Sequence, residues 1–200
     1  RPPRQGRNPK TGEAVALDLP EEVKAGIWRW GDRALADPAL RRVRPESLHV
    51  TLAFLGWRPL KEVDRIAEAV RESVGPAPLV ELRDPEPRPP RGRPRLFALP
   101  ALSPGTELLQ AGLQERLVEG RFYEPEKRPY WPHVTVARVR PEARGSKRPA
   151  RVEKGPGKLP ASLSKVFLGV RLTLYRSELQ PTGARYVPLA QVELPGAGQQ

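Results

Sequence analysis

The chain of 200 residues contains no cysteine. Without cysteine there is no disulfide framework, no thiolate nucleophile and no cysteine-based zinc site. This absence excludes thiol chemistry as the basis of function, and it removes most metal-binding and redox classes as well.

Long hydrophobic runs are missing too. No apolar stretch approaches the roughly 18 residues that a membrane span needs. The first residues also lack the apolar segment of a secretory signal. From these features we expect a cytoplasmic protein that does not associate with membranes.

Acidic residues are few relative to basic ones. The chain has 35 Lys and Arg against 23 Asp and Glu, a formal net charge of +12 and an isoelectric point near 10.7. Such a charge suits a polyanionic partner such as nucleic acid. It also suits a basic surface that only keeps the protein in solution. Charge alone does not separate these interpretations, because the basic residues are spread over the whole chain.

The hydrophobic pattern predicts an α+β fold. Alternating or β-branched segments predict strands at 14–19, 47–56, 79–82, 96–99, 132–139, 166–175 and 186–194, and three- and four-residue apolar spacing predicts helices at 21–35, 60–74 and 105–119. The proline-rich segments 85–94 and 141–160 are predicted loops. We expect a flexible basic N-terminal extension at 1–13, one folded domain at 14–194 and a tail at 195–200.

One sequence pattern occurs twice. HVTLAFLG occupies 49–56 and HVTVARVR occupies 133–140, and the only two histidines of the chain open these segments. The two copies are too far apart to belong to a solenoid repeat. They therefore predict two structurally similar lobes, each of which contributes one equivalent strand.

The repeated tripeptide places an imidazole beside a hydroxyl. Residues i and i+2 of a strand share a face, so His49 projects with Thr51, and His133 with Thr135. If the two strands lie side by side, both pairs converge on one cleft. A neutral imidazole can take a proton from water that attacks phosphorus while a protonated one donates to the leaving oxygen. The hydroxyls can bind the non-bridging oxygens.

Three further residues are candidates for substrate contact. Arg138 follows the second motif and is the natural phosphate ligand, although strict strand alternation turns it away from His133, so a bulge or strong twist must re-aim it. Phe54 holds the equivalent place after His49 and is a candidate for stacking on a base. Tyr130 shortly precedes the second motif, where it would line the cleft, and is a second candidate for stacking on a base.

Other kinds of site fit the sequence less well. Zinc normally takes three or four protein ligands, and the chain has no third histidine. A serine nucleophile would need a G-x-S-x-G elbow, which is absent, and would leave one histidine idle. No G-x-x-x-x-G-K-[ST] loop is present to hold a nucleotide. A non-catalytic protein that uses the same cleft to bind RNA ends stays open as the alternative function.

The paired motifs His49-Val50-Thr51 and His133-Val134-Thr135 resemble those of the 2H phosphoesterase superfamily. Within it, the chain is most similar to the bacterial and archaeal RNA 2',3'-cyclic phosphodiesterases, historically called 2'-5' RNA ligases. The segments VALDLPEEV at 15–23 and LYRSELQPTG at 174–183 carry the resemblance further, over about residues 14–194.

The resemblance implies two pseudo-symmetric lobes, each a mostly antiparallel sheet with helices on its outer face, around a central cleft. It implies hydrolysis of a 2',3'-cyclic phosphate to a 2'-phosphomonoester without metal or cofactor, and in some members reversible 2'-5' ligation. His49 and His133 would be the acid/base pair, and Thr51, Thr135 and Arg138 would contact phosphate. The expected substrates are RNA with 2',3'-cyclic phosphate ends or small cyclic nucleotides, and we expect a monomer.

Overall fold

The computed structural model describes residues 12–181 and 183–198, in which three helices and ten strands form an α+β fold, as predicted. The helices are α1 (Glu21–Ala34), α2 (Leu60–Glu72) and α3 (Pro104–Glu119). The strands are β1 (Gly12–Asp18), β2 (Leu40–Arg42), β3 (His49–Gly56), β4 (Leu79–Leu82), β5 (Glu86–Arg88), β6 (Leu96–Leu102), β7 (His133–Val139), β8 (Phe167–Leu168), β9 (Arg171–Gln180) and β10 (Gly183–Glu193). Short 3₁₀ turns lie at Pro45–Ser47 and Ala161–Leu163.

The described strands form one antiparallel sheet. Its order is β10-β9-β1-β3-β7-β6-β4-β8, with β2 beside β7 and β5 beside β6. Along the eight-strand path, four strands lie on each side of the junction between β3 and β7. The two strands that carry the repeated motif are neighbours at the centre, which confirms the predicted pair of pseudo-symmetric lobes.

The hydrophobic core lies on one face of this central junction. Helix α3 contacts β3 and β4, helix α2 contacts β9 and β10, and the two helices contact each other. Val50 and Val134, the middle residues of the two motifs, are fully buried in this core. Because side chains alternate along a strand, the flanking histidines and threonines point to the opposite face.

The structure differs from the predicted pattern in its shortest elements. Strands β2 and β5 were not predicted, because three residues are too few to show a period. The strand predicted at 166–175 is divided into β8 and β9, and β9 continues to Gln180. Strand β2 brings Arg41 and Arg42 to the wall of the cleft described below.

Strand β1 begins at Gly12, two residues before the predicted domain boundary at 14. Residues 1–11 of the predicted extension lie outside the described residues, but Gly12 and Glu13 belong to β1. Glu13 is fully buried and accepts hydrogen bonds from the Arg176 side chain and, at 2.7 Å, from the Arg58 backbone N–H. None of the helices in the described ranges is both long and apolar enough to cross a bilayer. The cytoplasmic location stays a prediction.

Candidate active site

The two motifs meet at a single point of the sheet. Val50 of β3 lies directly opposite Val134 of β7. In an antiparallel pair this register places His49 across from Thr135 and Thr51 across from His133. The two valines face the core, so the four polar side chains share the other face. The convergence that the sequence predicted is present.

Each motif is followed by a bulge of the same kind. In β7, Thr135 and Ala137 lie opposite the consecutive residues Ala98 and Phe97, which leaves Val136 without a partner on β6. The extra residue shifts the alternation, because Val136 and Ala137 are both buried and Arg138 is then exposed. This is the bulge that Arg138 needed in order to turn to the face of His133.

In β3 the bulge falls at the equivalent position. Thr51 and Ala53 lie opposite consecutive residues of β1, so Leu52 is the residue without a partner. Phe54 is thereby turned to the face of His49, as Arg138 is turned to that of His133. The pseudo-symmetry of the lobes thus extends to the local backbone, while the residue that it presents differs between them.

A cavity of about 380 Å³ opens on this face. All five predicted catalytic and phosphate-contacting residues line it: His49, Thr51, His133, Thr135 and Arg138. The rest of the wall comes from 41–44, 46 and 47, and from 180 and 183–186. No role was predicted for these wall residues from the sequence. Their signals are the density of arginine before the first motif, at 41, 42 and 44, and the segment at 174–183 that shares in the resemblance.

His49 lies between two tyrosines. Its ring stacks on Tyr175 with centroids 5.5 Å apart and meets the edge of Tyr186 at 5.0 Å. The Nδ1 atom is buried and has no hydrogen-bond acceptor among the described residues. Burial, with smaller effects from the charges of Lys24 and His133, lowers the pKa of His49 to about 4. The ring is therefore neutral near pH 7 in the free protein.

A buried carboxylate anchors the tyrosine that stacks on His49. Asp18 accepts hydrogen bonds from the Tyr175 hydroxyl at 2.7 Å and from the Thr173 hydroxyl at 2.6 Å. Burial raises the pKa of Asp18 against the opposing effect of these bonds. Since Tyr175 is fixed at its hydroxyl end, its ring holds the His49 imidazole in one plane.

His133 is held in a different way. Its Nδ1 lies 2.7 Å from the backbone oxygen of Trp131. A carbonyl oxygen only accepts, so Nδ1 carries a proton and Nε2 is left for chemistry. The ring stacks on the Trp131 indole with centroids 4.2 Å apart, and the Arg88 guanidinium covers the indole at 3.7 Å.

The pKa of His133 is also lowered. Burial is the main cause, and the charges of Arg88 and Arg138 add to it, while the hydrogen bond to Trp131 opposes it. Both imidazoles therefore favour the neutral form more than free histidine does. A bound phosphate anion would favour the protonated form of either ring.

The two aromatic residues predicted to contact a base lie outside the cavity wall. Phe54 is 50% exposed on the histidine face of β3. The hydroxyl of Tyr130 donates to the Thr51 backbone oxygen at 2.9 Å and so ties the chain before β7 to β3. Stacking on a base stays a prediction for both, and Tyr130 in addition positions the first motif.

The donor set at this site favours acid/base chemistry over metal binding. In the described part of the chain, no group of three or more His, Asp or Glu side chains is placed to hold a metal ion. Two imidazoles, two hydroxyls and an arginine lie together instead. Such a set can move protons on both sides of a phosphoryl group and can stabilise the charge that gathers on it.

Two lobes that each bring one His-x-Thr motif to a shared cleft define the class of two-histidine phosphoesterases. The model of the 2'-5' RNA ligase superfamily matches residues 19–174, and the chain belongs to this family. The resemblance noted from the motifs is thereby confirmed.

Two relatives match over most of their length. The RNA 2',3'-cyclic phosphodiesterase of Thermus thermophilus is 33% identical over 188 residues, which cover 90% of this chain and 89% of the relative. The protein of the same name from Methanothermobacter thermautotrophicus is 32% identical over 183 residues, 88% of this chain and 94% of the relative.

Solved structures share the fold. A crystal structure of a Thermus thermophilus protein has a TM-score of 0.74 and 32% identity and covers 92% of this chain and 98% of that one. Escherichia coli LigT complexed with 3'-AMP has a TM-score of 0.70 at 22% identity, with coverage of 92% and 98%.

Proposed function

We propose that this protein hydrolyses 2',3'-cyclic phosphate ends of RNA to 2'-phosphomonoesters, with His49 and His133 as a metal-independent acid/base pair. The observation that carries this proposal is the register of β3 and β7. Through Val50 and Val134, it sets one histidine from each lobe on the same face of the sheet and in the same cavity.

The reaction needs two proton transfers. The neutral imidazole takes a proton from water as the water oxygen bonds to phosphorus, and the protonated imidazole donates to O3' as the bond between phosphorus and O3' breaks. The products are a free 3'-hydroxyl and a 2'-phosphate, and each histidine ends in the other's starting state. Which histidine begins as the base depends on the direction in which the substrate lies.

The remaining residues of the site serve the phosphate and the base. The hydroxyls of Thr51 and Thr135 donate to the non-bridging oxygens, and Arg138 neutralises the charge that they gain in the transition state. Phe54, exposed on the same face, is proposed to stack on the terminal base.

The comparisons support this substrate class. Both relatives described above carry the name RNA 2',3'-cyclic phosphodiesterase. LigT, whose fold this chain shares, has been crystallised with 3'-AMP. If a ribose 5'-hydroxyl replaces water as the attacking group, the same pair of histidines would give a 2'-5' linkage, which we propose as a secondary activity. All residues of the site come from one chain, so we propose that a monomer is active.

Incubation of the purified protein with EDTA and an RNA that ends in a 2',3'-cyclic phosphate tests the proposal. We expect full turnover in EDTA, with a 2'-phosphate as the only product. His49→Asn and His133→Asn keep a polar group of similar size without the acid/base function, and each is expected to lose the activity. Their circular dichroism should match that of the wild type.

Two other outcomes would identify another function. Tight binding of the RNA end without opening of the ring would show a non-catalytic RNA-end-binding protein. Activity that EDTA removes and a divalent metal restores would show a metal site built on the two histidines. Arg29→Gln is the control substitution at a site remote from the cavity and should keep full activity, because Arg29 is an exposed residue of α1 outside the cavity wall.

A further inference from the structure

We infer that Arg41, with Arg185 beside it, forms a second phosphate-binding site in this cavity, so that the preferred substrate carries a further phosphate besides the cyclic one. The further phosphate is either a 5'-phosphate on the terminal nucleotide or the 3'-5' linkage to the preceding nucleotide. This inference rests on the proposed function, because it names the substrate class of the same site.

The first observation is a pair of like charges across two strands. Arg41 of β2 lies directly opposite Arg138 of β7. Residues that are directly opposite in an antiparallel ladder share a face with Cβ atoms roughly 5 Å apart, and like charges there destabilise the sheet. Both arginines line the cavity. An anion between or beside them would relieve this repulsion.

The second observation is that, among the described residues, no carboxylate forms a close ion pair with the arginines of this site. Among the described residues, Arg41, Arg138 and Arg185 have no acidic partner within 4.0 Å. Glu178 lies opposite Arg185 in the ladder of β9 and β10 but beyond this distance. Arg41 and Arg138 are therefore available to a ligand. Glu46, the acidic residue of the cavity wall, lies 3.9 Å from Arg44.

Arg42, the next residue of β2, shows the contrast. Its guanidinium forms an ion pair with Asp32 at 2.7 Å and lies over the Trp28 ring at 3.8 Å. Arg42 is thus committed to packing against α1. Arg41 lies on the adjacent position of the same short strand and has neither an ion pair nor a ring contact with any residue in the described ranges.

The third observation places Arg185 near Arg41. The guanidinium of Arg41 lies against Gly183, where a Cβ atom would be 3.7 Å from its Cζ. Arg185 follows two residues later on β10 and lines the same cavity. Arg185 is therefore two residues along β10 from the glycine that the Arg41 guanidinium contacts.

The position of Arg41 indicates a second phosphate and not the reacting one. The guanidinium of Arg41 lies against Gly183, where β10 begins, whereas His49 lies against Tyr175 and Tyr186 farther along β9 and β10. Arg41 therefore lies farther out along the cavity than the His49 imidazole. A volume of about 380 Å³ lies in the range of ligand-sized pockets and exceeds what a cyclic phosphate alone would occupy.

The ratio of kcat/KM values for matched substrates tests the inference. The substrates are adenosine 2',3'-cyclic phosphate, its 5'-phosphorylated form and a dinucleotide that ends in the cyclic phosphate. We expect the wild type to prefer one or both phosphate-bearing substrates by about ten-fold, as a charge-assisted hydrogen bond supplies. In Arg41→Gln this ratio should fall to near one, and in the control Arg29→Gln it should not change.

The two sources of the phosphate are separated by the substrates. Preference for the 5'-phosphorylated mononucleotide shows a site for a terminal phosphate, and preference for the dinucleotide alone shows a site for the linkage. Equal kcat/KM values for all three substrates in the wild type would overturn the inference, as would an unchanged ratio in Arg41→Gln. The variant should also melt no lower than the wild type, because it removes a like-charge pair.

A binding measurement tests the second phosphate site independently of whether the protein is a hydrolase. Calorimetry compares adenosine 2',5'-bisphosphate with adenosine 2'-phosphate, neither of which needs turnover. If no cyclic substrate is opened but the bisphosphate binds about ten-fold more tightly and Arg41→Gln removes the difference, the second site stands and the hydrolase proposal fails. Equal affinities would overturn a site for a terminal 5'-phosphate, and equal kcat/KM values for the dinucleotide and the mononucleotide would overturn a site for the linkage.

Discussion

The two motif strands of the site have a bulge at the same position, but different neighbouring groups hold the imidazoles of His49 and His133. His49 is held by ring contacts with Tyr175 and Tyr186, and its Nδ1 has no acceptor in the described part of the chain. His133 has a backbone acceptor for Nδ1 and an indole against its face. Repetition of a motif thus provides two equivalent positions, and the surroundings make them chemically unequal.

Loss of either histidine gives the largest expected effect on the rate. The double variant tests whether the two histidines act as one catalytic unit. His49→Ala and His133→Ala should each lower kcat by roughly 10² to 10⁴-fold, the range for general acid/base groups. The double variant should be no slower than the worse single variant, because loss of either proton transfer already disables the pair. Single-turnover rates measure this. If the fold losses in kcat of the two single variants multiply in the double variant, the two histidines contribute independently and the expectation is wrong.

Substitution of Arg138 or Phe54, which hold equivalent positions after the two bulges, should lower activity less than loss of a histidine. The two substitutions should affect different kinetic parameters. Arg138→Gln should lower kcat by about 100-fold, because it removes positive charge from the transition state. Phe54→Leu should raise KM by about ten-fold with little change in kcat, since stacking holds substrate and transition state alike. Steady-state kinetics on an RNA end separate the two. The same parameter changing in both variants would contradict the assignment of different roles.

The central site was predictable from the sequence because its signal is local. A repeated His-Val-Thr fixes which side chains share a face, and the two copies imply two equivalent strands. Even the bulge was required by the position of Arg138, five residues after His133 in a strand that alternates. The boundaries of the helices followed from their apolar spacing to within a few residues.

The surroundings of the histidines were not predictable, because they depend on contacts between distant segments. Tyr175 reaches His49 only through the pairing of β1 with β9, and Arg88 reaches Trp131 only through the pairing of β5 with β6. Arg41 lies on a strand of three residues, which is too short for any periodic signal.

Substitution of the aromatic residues that pack against the histidine rings should give the smallest effects on the reaction rate. Trp131→Leu opens the face of the His133 ring to water, so the pKa of His133 should rise toward its ordinary value and kcat should fall by roughly five-fold. With only two histidines in the chain, NMR titration of their ring protons measures both pKa values, and His49→Asn assigns them. The pKa of His49 should not change. Equal shifts of both histidines would contradict separate supports.

A substitution beside His49, in the other half of the site, should affect the stability of the protein more than the reaction rate. Tyr175→Phe removes the hydroxyl that donates to buried Asp18 but keeps the ring that stacks on His49. We expect a loss of about 1 to 3 kcal/mol in the free energy of unfolding, because a buried acceptor loses a partner. Urea denaturation measures this loss. A large fall in kcat without loss of stability would show that the hydroxyl takes part in the reaction.

The pH dependence of kcat/KM in EDTA tests the shared acid/base pair most directly, because it reports the free protein. One histidine must be neutral and the other protonated. Activity should therefore rise as pH increases through the His49 pKa of about 4 and fall as it passes the lowered pKa of His133. The account predicts a bell-shaped profile with its maximum below pH 6.5, measured where circular dichroism shows the protein folded. A profile with a single limb, or one that rises through neutral pH to an alkaline plateau, would contradict it.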